Sequence, residues 1–334
     1  MNKKSKIIFF IFFIFIITSI CLYLDYRKFL ETPLNIKTSL TFTIKPGSTF
    51  KDLNNKLRSY HILKQNYYFE FYSRYSGYAE KIKSGEYKLT PGLTPTEIMY
   101  IFISGTKVKQ YSITLIEGWS IADMLTEISS NKILVKTLNN YSHKTLLNEL
   151  KISKQNAEGL FFPDTYYFTR GTSDIELLKR AYNRQKEILE NEWAQREMEL
   201  PYKTDYDALI MASIIEKETG LTRERAKIAG VFVRRLKSKM RLQTDPTVIY
   251  AMGTKYKGNI RRKDLKIDSP YNTYRNYGLP PTPIALAGQG AIHAALHPEK
   301  GNSLYFVSKN DGSHYFSETL DEHNKAVRKY QSKK

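Results

Sequence analysis

The sequence predicts an α+β fold: an N-terminal transmembrane helix, a small α/β module and a larger mixed α+β domain. Three observations predict it. An uncharged apolar run fills residues 7–24. After residue 40, a short strand, a glycine turn and a capped helix follow one another three times. Beyond residue 108, helical stripes and short strands mix without βαβ regularity, which argues against a doubly wound sheet. A length of 334 residues suits about two domains plus a tail. Hydrophobic content of 41% and charged content of 25% exclude a largely disordered chain.

The first element is the run Ile7 to Leu24, IIFFIFFIFIITSICLYL. At roughly 1.5 Å per residue it spans about 27 Å, close to the hydrocarbon thickness of a bilayer. Lys3, Lys4 and Lys6 precede it, whereas Asp25, Arg27, Lys28 and Glu31 follow as a mixed set. The positive-inside rule therefore places residues 1–6 in the cytoplasm and the chain after residue 25 outside, with 25–39 as a linker. No small-x-small cleavage site follows the run, and bulky Ile20 argues against lipoprotein processing at Cys21. Cys21 is the one cysteine, which excludes an intrachain disulfide framework and a Cys-based zinc site. The formal charge of +19 points to an acidic partner, although a Lys-, Asn-, Ile- and Tyr-rich composition produces the same value without selection for binding. An exported domain rarely meets nucleic acid, so nucleic acid is not expected as a partner.

The three repeated units come next. Leu40–Ile44 alternates with period two and leads through Pro46-Gly47 to Thr49 and Asp52. Tyr87–Leu89 leads through Pro91-Gly92 to Thr94, Pro95 and Glu97, and Tyr111–Leu115 through Glu117-Gly118 to Ser120 and Asp123. Each helix start reads G-x-[ST]-x-x-[DE], where the hydroxyl caps the first turn and the carboxylate reaches back. The irregular spacing excludes a solenoid. TFTIKPGSTFKDLNNKL resembles the opening of a LysM module, a small carbohydrate-binding fold, and residues 40–107 have the size and order of one.

In the remaining domain, 108–334, Ser173 and Glu176 form another capping box. They open a helix with Ile175, Leu178, Tyr182, Leu189 and Trp193 on one stripe. Asp205 or Asp207 is expected to cap the next helix, Ala208 to Thr219, ended by Gly220. Thr222 opens a third, with Ile228, Ala229, Phe232 and Leu236 on one face. Gln243, Thr244 and Asp245 are expected in a loop, followed by Pro-, Gly- and Tyr-rich segments, a strand at Leu304–Val307 and a polar helix from about Ser317.

The helix ALIMASIIEKETG carries the most chemistry. It is apolar nearly all round for eight residues, so it is buried, and it then delivers Glu216, Lys217 and Glu218 at its C-terminal end. Buried aliphatic surface and the negative end of the helix dipole both raise a carboxyl pKa there, the environment that a general acid needs. Glu218 continues the stripe of Met211, Ile214 and Ile215, whereas Glu216 lies about 200° away and continues Leu209, Ala212 and Ser213. Spacing alone leaves both glutamates as candidates. Ser269–Tyr274 and Gly278–Pro283 are stiff aromatic loops of the kind that line sugar clefts. No metal site is expected from His293, His297, His314 and His323, which are read as lacking helical metal spacing and an H-E-x-x-H. There is no G-x-S-x-G elbow, no Walker A loop and no dinucleotide fingerprint, and no cofactor is implied.

MASIIEKETG, RLQTDPTVIYAMG, SPYNTYRNYGLPPTPIA, HPEKGNSLYFVSKNDGSHYF, EHNKAV and EGLFFPDTYYF together resemble the YceG-like family, the endolytic murein transglycosylases. The resemblance implies a membrane-anchored enzyme at the plasma membrane, a lyase that acts outside the cytoplasm on peptidoglycan glycan strands, with a peptidoglycan synthase as a candidate partner. It implies that the second glutamate of E-K-E-T, Glu218, is catalytic, working as acid and then base to close a 1,6-anhydro ring on N-acetylmuramic acid. Gln243, Asp245, Tyr271, Asn272 and Tyr274 are candidates for holding the glycan or the glutamate. A lysozyme-type hydrolase, with Asp245 as second carboxylate, and a non-catalytic wall-binding anchor are the alternatives.

Overall fold

The computed structural model describes residues 3–63, 67–106 and 108–331. Residues 1–2 and the side chains of 3–6, which bear on the expected topology, lie outside the described residues, as does Lys107 at the expected module boundary. The chain forms two compact units, 1–111 with 167–172, and 112–166 with 173–334.

The first unit begins with α1 (Lys3–Glu31), whose Ile7–Glu31 stretch is long and apolar enough to cross a membrane. Its apolar side chains are exposed rather than packed into the protein. The helix continues through Asp25–Glu31, the start of the expected linker, where Arg27 and Glu31 pair one turn apart at 2.9 Å. Then follow β1 (Leu40–Ile44), α2 (Phe50–Ser59), α3 (Tyr67–Tyr75), β2 (Gly85–Leu89) and α4 (Pro95–Ser104). β1 and β2 pair antiparallel, Phe42 opposite Tyr87. Phe42, Leu57, Phe69, Tyr87 and Phe102 fill the core beneath them, with the Phe42 and Phe102 rings stacked at 5.7 Å. Capping boxes close the starts of α2, with Thr49 and Asp52, and of α4, with Thr94 and Glu97.

β3 (Gln110–Thr114) and β4 (Thr165–Thr169) form a second two-stranded sheet. In the second unit, α5 (Ile121–Ser130) starts at the Ser120–Asp123 box, the third repetition of the same local chemistry. There follow α6 (His143–Glu149), α7 (Asp174–Ala194), α8 (Asp205–Glu218), α9 (Thr222–Lys237), α10 (Asp245–Met252) and α11 (Gln289–Leu296). β5 (Tyr305–Ser308) and β6 (His314–Ser317) make an antiparallel hairpin, and α12 (Leu320–Gln331) packs on it. α8 is the central element, with every residue from Ala208 to Ile215 buried among α7, α9, α10 and α11.

Several local expectations shift. α8 is capped by Thr204, whose hydroxyl accepts from Asp207 N–H while the Asp207 carboxylate takes the Thr204 N–H; neither Asp205 nor Asp207 is itself the cap. The α7 stripe centres on Leu177, Leu178, Ala181, Gln185, Ile188 and Leu189, and leaves Ile175, Tyr182 and Trp193 half-buried. Asp245 opens α10 instead of lying in a loop, because Pro246 is tolerated in a first helical turn where its missing N–H costs nothing.

Candidate active site

α8 carries its two glutamates into different surroundings. The Glu216 side chain is only 5% exposed: Oε1 accepts from Arg225 at 2.8 Å and Oε2 from Gly288 N–H at 3.0 Å. Burial raises its pKa, and the Gly288 and Arg225 contacts oppose that rise. Arg225 also reaches Glu117 Oε2 at 3.4 Å, so Glu216 belongs to a structural charge cluster. Lys217, between the two, points away and donates to Gly118 O at 3.0 Å.

Glu218 turns instead into a cleft of about 460 Å³, lined also by Arg235, Gln243, Asp245, Tyr274, Tyr305, His314 and His323. The residue is only half-buried because one side opens to the cleft, whereas protein surrounds the rest of the carboxyl. Burial pushes the carboxyl up to about 7; Asp245 adds to the rise, while the Thr244 hydroxyl and Arg235 oppose it. A group with that pKa holds its proton about half the time at neutral pH and can give or take one.

The Thr244 hydroxyl donates to Glu218 Oε1 and is itself held in place. Thr244 N–H donates to Thr273 Oγ1 at 3.1 Å, Thr247 Oγ1 donates to Thr244 O at 2.7 Å, and the Thr247 and Thr273 hydroxyls meet at 2.8 Å. All three threonines are buried. Their network fixes the donor that faces the glutamate, as a satisfied buried polar network can.

The structure brings Gln243, Asp245 and Tyr274 to the same cleft as Glu218. Gln243 has a left-handed backbone, φ 50°, and Tyr274 donates to Asp245 Oδ1 at 2.6 Å. Tyr271 and Asn272 are not among its lining residues. The Tyr271 hydroxyl bonds Thr282 at 2.8 Å and its ring packs on Tyr250. Asn272 is fully buried, donates to Leu265 O and Ile267 O, and accepts from Tyr274 N–H, so it shapes the loop that presents Tyr274.

Sequence reasoning missed several residues. Arg235 is buried, donates to Leu242 O and Leu304 O, and lies under the Tyr305 ring, which ties β5 to the segment before α10. His314 lines the cleft and pairs with Glu224 at 2.7 Å. His323 stacks on Tyr305 at 5.3 Å. Thr244 could have been found, since it lies between two residues that were singled out. Glu158 is a second carboxyl pushed up to about 7 by burial; it accepts from Ile121 N–H at 2.8 Å and Tyr250 OH at 3.1 Å and joins the start of α5 to α10.

The spacing read for the histidines needs correction. His293 and His297 are four residues apart at the end of α11, their rings stacked at 4.3 Å. Glu192, from the last turn of α7, joins them, and one ligand atom from each residue lies within 4.8 Å of the others. The third member comes from about a hundred residues away, beyond the reach of local spacing.

Comparison with known proteins gives a consistent picture. Residues 42–329 match the YceG-like family. The chain is 37% identical to an endolytic murein transglycosylase of Bacillus subtilis (strain 168) over 330 residues, covering 92% of this chain and 90% of that protein. It is 27% identical to an endolytic murein transglycosylase of Streptococcus pneumoniae serotype 2 (strain D39), covering 93% of this chain and 63% of that longer protein. The crystal structure of a yceG-like protein from Listeria monocytogenes is similar with a TM-score of 0.54 at 32% identity, over 87% of this chain and 99% of that one.

Proposed function

Because the chain belongs to the YceG-like family, we propose that it is a membrane-anchored peptidoglycan lytic transglycosylase that cuts within glycan strands and has Glu218 as its single acid–base group. The observation that carries this reading is a carboxyl poised near neutral pH and directed into an aromatic-lined cleft. Protonated Glu218 donates to the oxygen linking N-acetylmuramic acid to N-acetylglucosamine, and the C1–O bond breaks as oxocarbenium character develops. Glu218, now ionised, removes the proton from the muramyl C6 hydroxyl, whose oxygen bonds to C1 and closes the 1,6-anhydro ring. The proton balance closes on one residue, and no water is consumed. Thr244 holds the carboxylate oxygen, and Gln243, Asp245 and Tyr274 hold the glycan. Tyr271 and Asn272 act at one remove, by shaping the loop that carries Tyr274.

In this reading residues 7–24 cross the plasma membrane, residues 40–107 form a LysM-like module, and residues 108–334 form the catalytic domain outside the cytoplasm. The order β1-α2-α3-β2, with its strands paired antiparallel, supports the module assignment. A peptidoglycan synthase supplying the nascent strand is the partner such an enzyme would serve.

The test is product analysis of purified peptidoglycan digested by the wild type and by Glu218→Gln. Anhydro-muramyl ends from the wild type and none from the folded variant support the assignment; near-full activity of the variant removes it. Asp245 in the same cleft favours one rival, a hydrolase with two carboxylates. That rival would yield products heavier by one water and lose activity with Asp245→Asn. A wall-binding anchor without activity would hold sacculi yet release no soluble fragments.

A further inference from the structure

We propose that Glu192, His293 and His297 form a binding site for a divalent transition metal, with zinc as the occupant. His293 lies in α11 and His297 ends it, so a separation of four places both imidazoles on one face. Glu192 Oε2 is 2.8 Å from His293 Nδ1, and the three candidate ligand atoms fall within 4.8 Å of one another. Two imidazoles and a carboxylate suit zinc far better than magnesium or calcium, which prefer all-oxygen shells. Gln289, one turn earlier on α11, donates to Glu192 Oε1 at 2.9 Å, which leaves Oε2 facing the imidazoles. Such an outer hydrogen bond is the usual device for orienting a ligand carboxylate. Metal–ligand bonds of about 2.0–2.2 Å set tetrahedral donors roughly 3.3–3.6 Å apart, so the Glu192–His293 pair, now at 2.8 Å, must open slightly and the widest pair must close by up to about 1.5 Å. The exposed His293 side chain can move by that much through its torsions. A water completes the tetrahedron.

The ligands come from α7 and α11, both packed against α8, and they meet only when the chain is folded. Bound zinc would therefore staple two supports of the helix that carries Glu218, and would stabilise the native state by mass action. The site stands apart from the acid–base chemistry, so its test does not depend on that reading. Chelator-stripped full chain in detergent is titrated with zinc by calorimetry and with cobalt by visible absorption, alongside His293→Ala and His297→Ala. The expected result is one equivalent bound, cobalt bands of tetrahedral intensity, and affinity lower by about tenfold or more in each variant. Zinc should also raise the melting temperature of the wild type and leave the His293→Ala, His297→Ala double variant unmoved. A wild type that binds no zinc, or a folded double variant that binds as the wild type does, overturns the proposal.

A separate observation lies in the first unit, where we infer that α3 rests on the membrane surface. This rests on α1 being the anchor. Tyr26, two residues beyond the apolar run, touches Tyr68 and Phe71 edge-on at 5.7 and 5.5 Å, which brings α3 to the edge of the hydrocarbon. Tyr67, Phe71 and Tyr75, spaced by four along α3, are 54%, 56% and 83% exposed. An aromatic stripe facing water is unfavourable, but at the level of lipid headgroups it is the preferred placement for such rings. Lys28 nearby suits anionic headgroups, whereas Arg27 and Arg74 pair with Glu31 and Glu70.

The test uses the full chain, Cys21→Ser, in anionic liposomes, with a nitroxide at Phe15→Cys, Phe71→Cys, Tyr75→Cys or Glu187→Cys in turn. Accessibility to oxygen and to a water-soluble nickel complex reports depth. Position 15 should read as hydrocarbon, 71 and 75 as interface, and 187 as water. If 15 reads as hydrocarbon while 71 and 75 match 187, the surface placement fails and the anchor stands. If 15 itself reads as water, both fall.

Discussion

Arg225 Nη2 lies 2.8 Å from Glu216 Oε1, and this contact commits the first glutamate of the E-K-E triplet to structure. Two residues later Glu218 has no cation bonded to it among the described residues and meets a threonine hydroxyl and open space instead. The two carboxyls share a helix and a sequence neighbourhood but differ in what faces them across the fold.

Replacing Arg225 by Met is expected to destabilise the fold by about 3–5 kcal/mol, because it leaves Glu216 buried without its partner. Glu216→Gln can accept from Arg225 or from Gly288 N–H but not from both, since its NH2 then meets the other donor; it buries no unpaired anion and should cost less. Urea denaturation checks the order, and anhydro-product formation by the folded Glu216→Gln protein should persist.

The Thr244 hydroxyl lowers the Glu218 pKa by bonding its ionised form. Wild-type kcat/KM should therefore fall as pH rises through about 7, where the acid loses its proton. In Thr244→Val that opposing bond is gone, and the basic limb should move to higher pH, with a lower plateau if orientation also suffers. A purely structural Thr244 would leave the limb in place.

Burial raises Glu218 from the ordinary 4.5 to about 7, so between those values the folded state holds more protons than the unfolded state. Stability contributed by this group is present below the lower value and is lost as pH rises to the upper one. Glu218→Gln should accordingly gain stability over the wild type as pH rises from about 4.5 to 7, by roughly 1–3 kcal/mol, and differ little at pH 4. Thermal melts of both proteins across that range test the sign.

Gly159→Ala should be strongly destabilising, by about 2 kcal/mol or more. A β-carbon there would lie 2.3 Å from Pro283 Cβ, and the backbone has φ +74°, which only glycine adopts freely. Denaturation midpoints test it, and Gly258→Ala, at φ +93° in open space, isolates the backbone part of the cost.

Local chemistry was legible in the sequence at three helix starts, although at α8 the Thr204–Asp207 box was misread as an aspartate cap. The boxes at Thr49–Asp52, Thr94–Glu97 and Ser120–Asp123 form as read, and the burial of Ala208–Ile215 follows from its unbroken apolar run. Gln243, Asp245 and Tyr274 reach the cleft, but the pattern could not separate them from Tyr271 and Asn272, which differ only in which way one loop turns them. Arg235, Glu158 and the Glu192 end of the histidine cluster were not legible, because each has a partner between about 70 and a hundred residues away in sequence. The Glu216–Arg225 pair lies nearer, yet its meaning depends on Gly288 and Glu117, contributed by other segments.

The threonine triad has a consequence for when the chain becomes reactive. Thr244, Thr247 and Thr273 span thirty positions, and Ser213 must also receive Ile284 N–H before the wall around α8 closes. Helix starts written in adjacent residues nucleate early, whereas these distant pairings come late. Until the closed wall buries it, Glu218 is an ordinary carboxylate, because burial raises its pKa while the Thr244 bond opposes the rise. In the proposed reading, the chain would therefore be unarmed during synthesis and would gain its acid–base group only with the last contacts of folding.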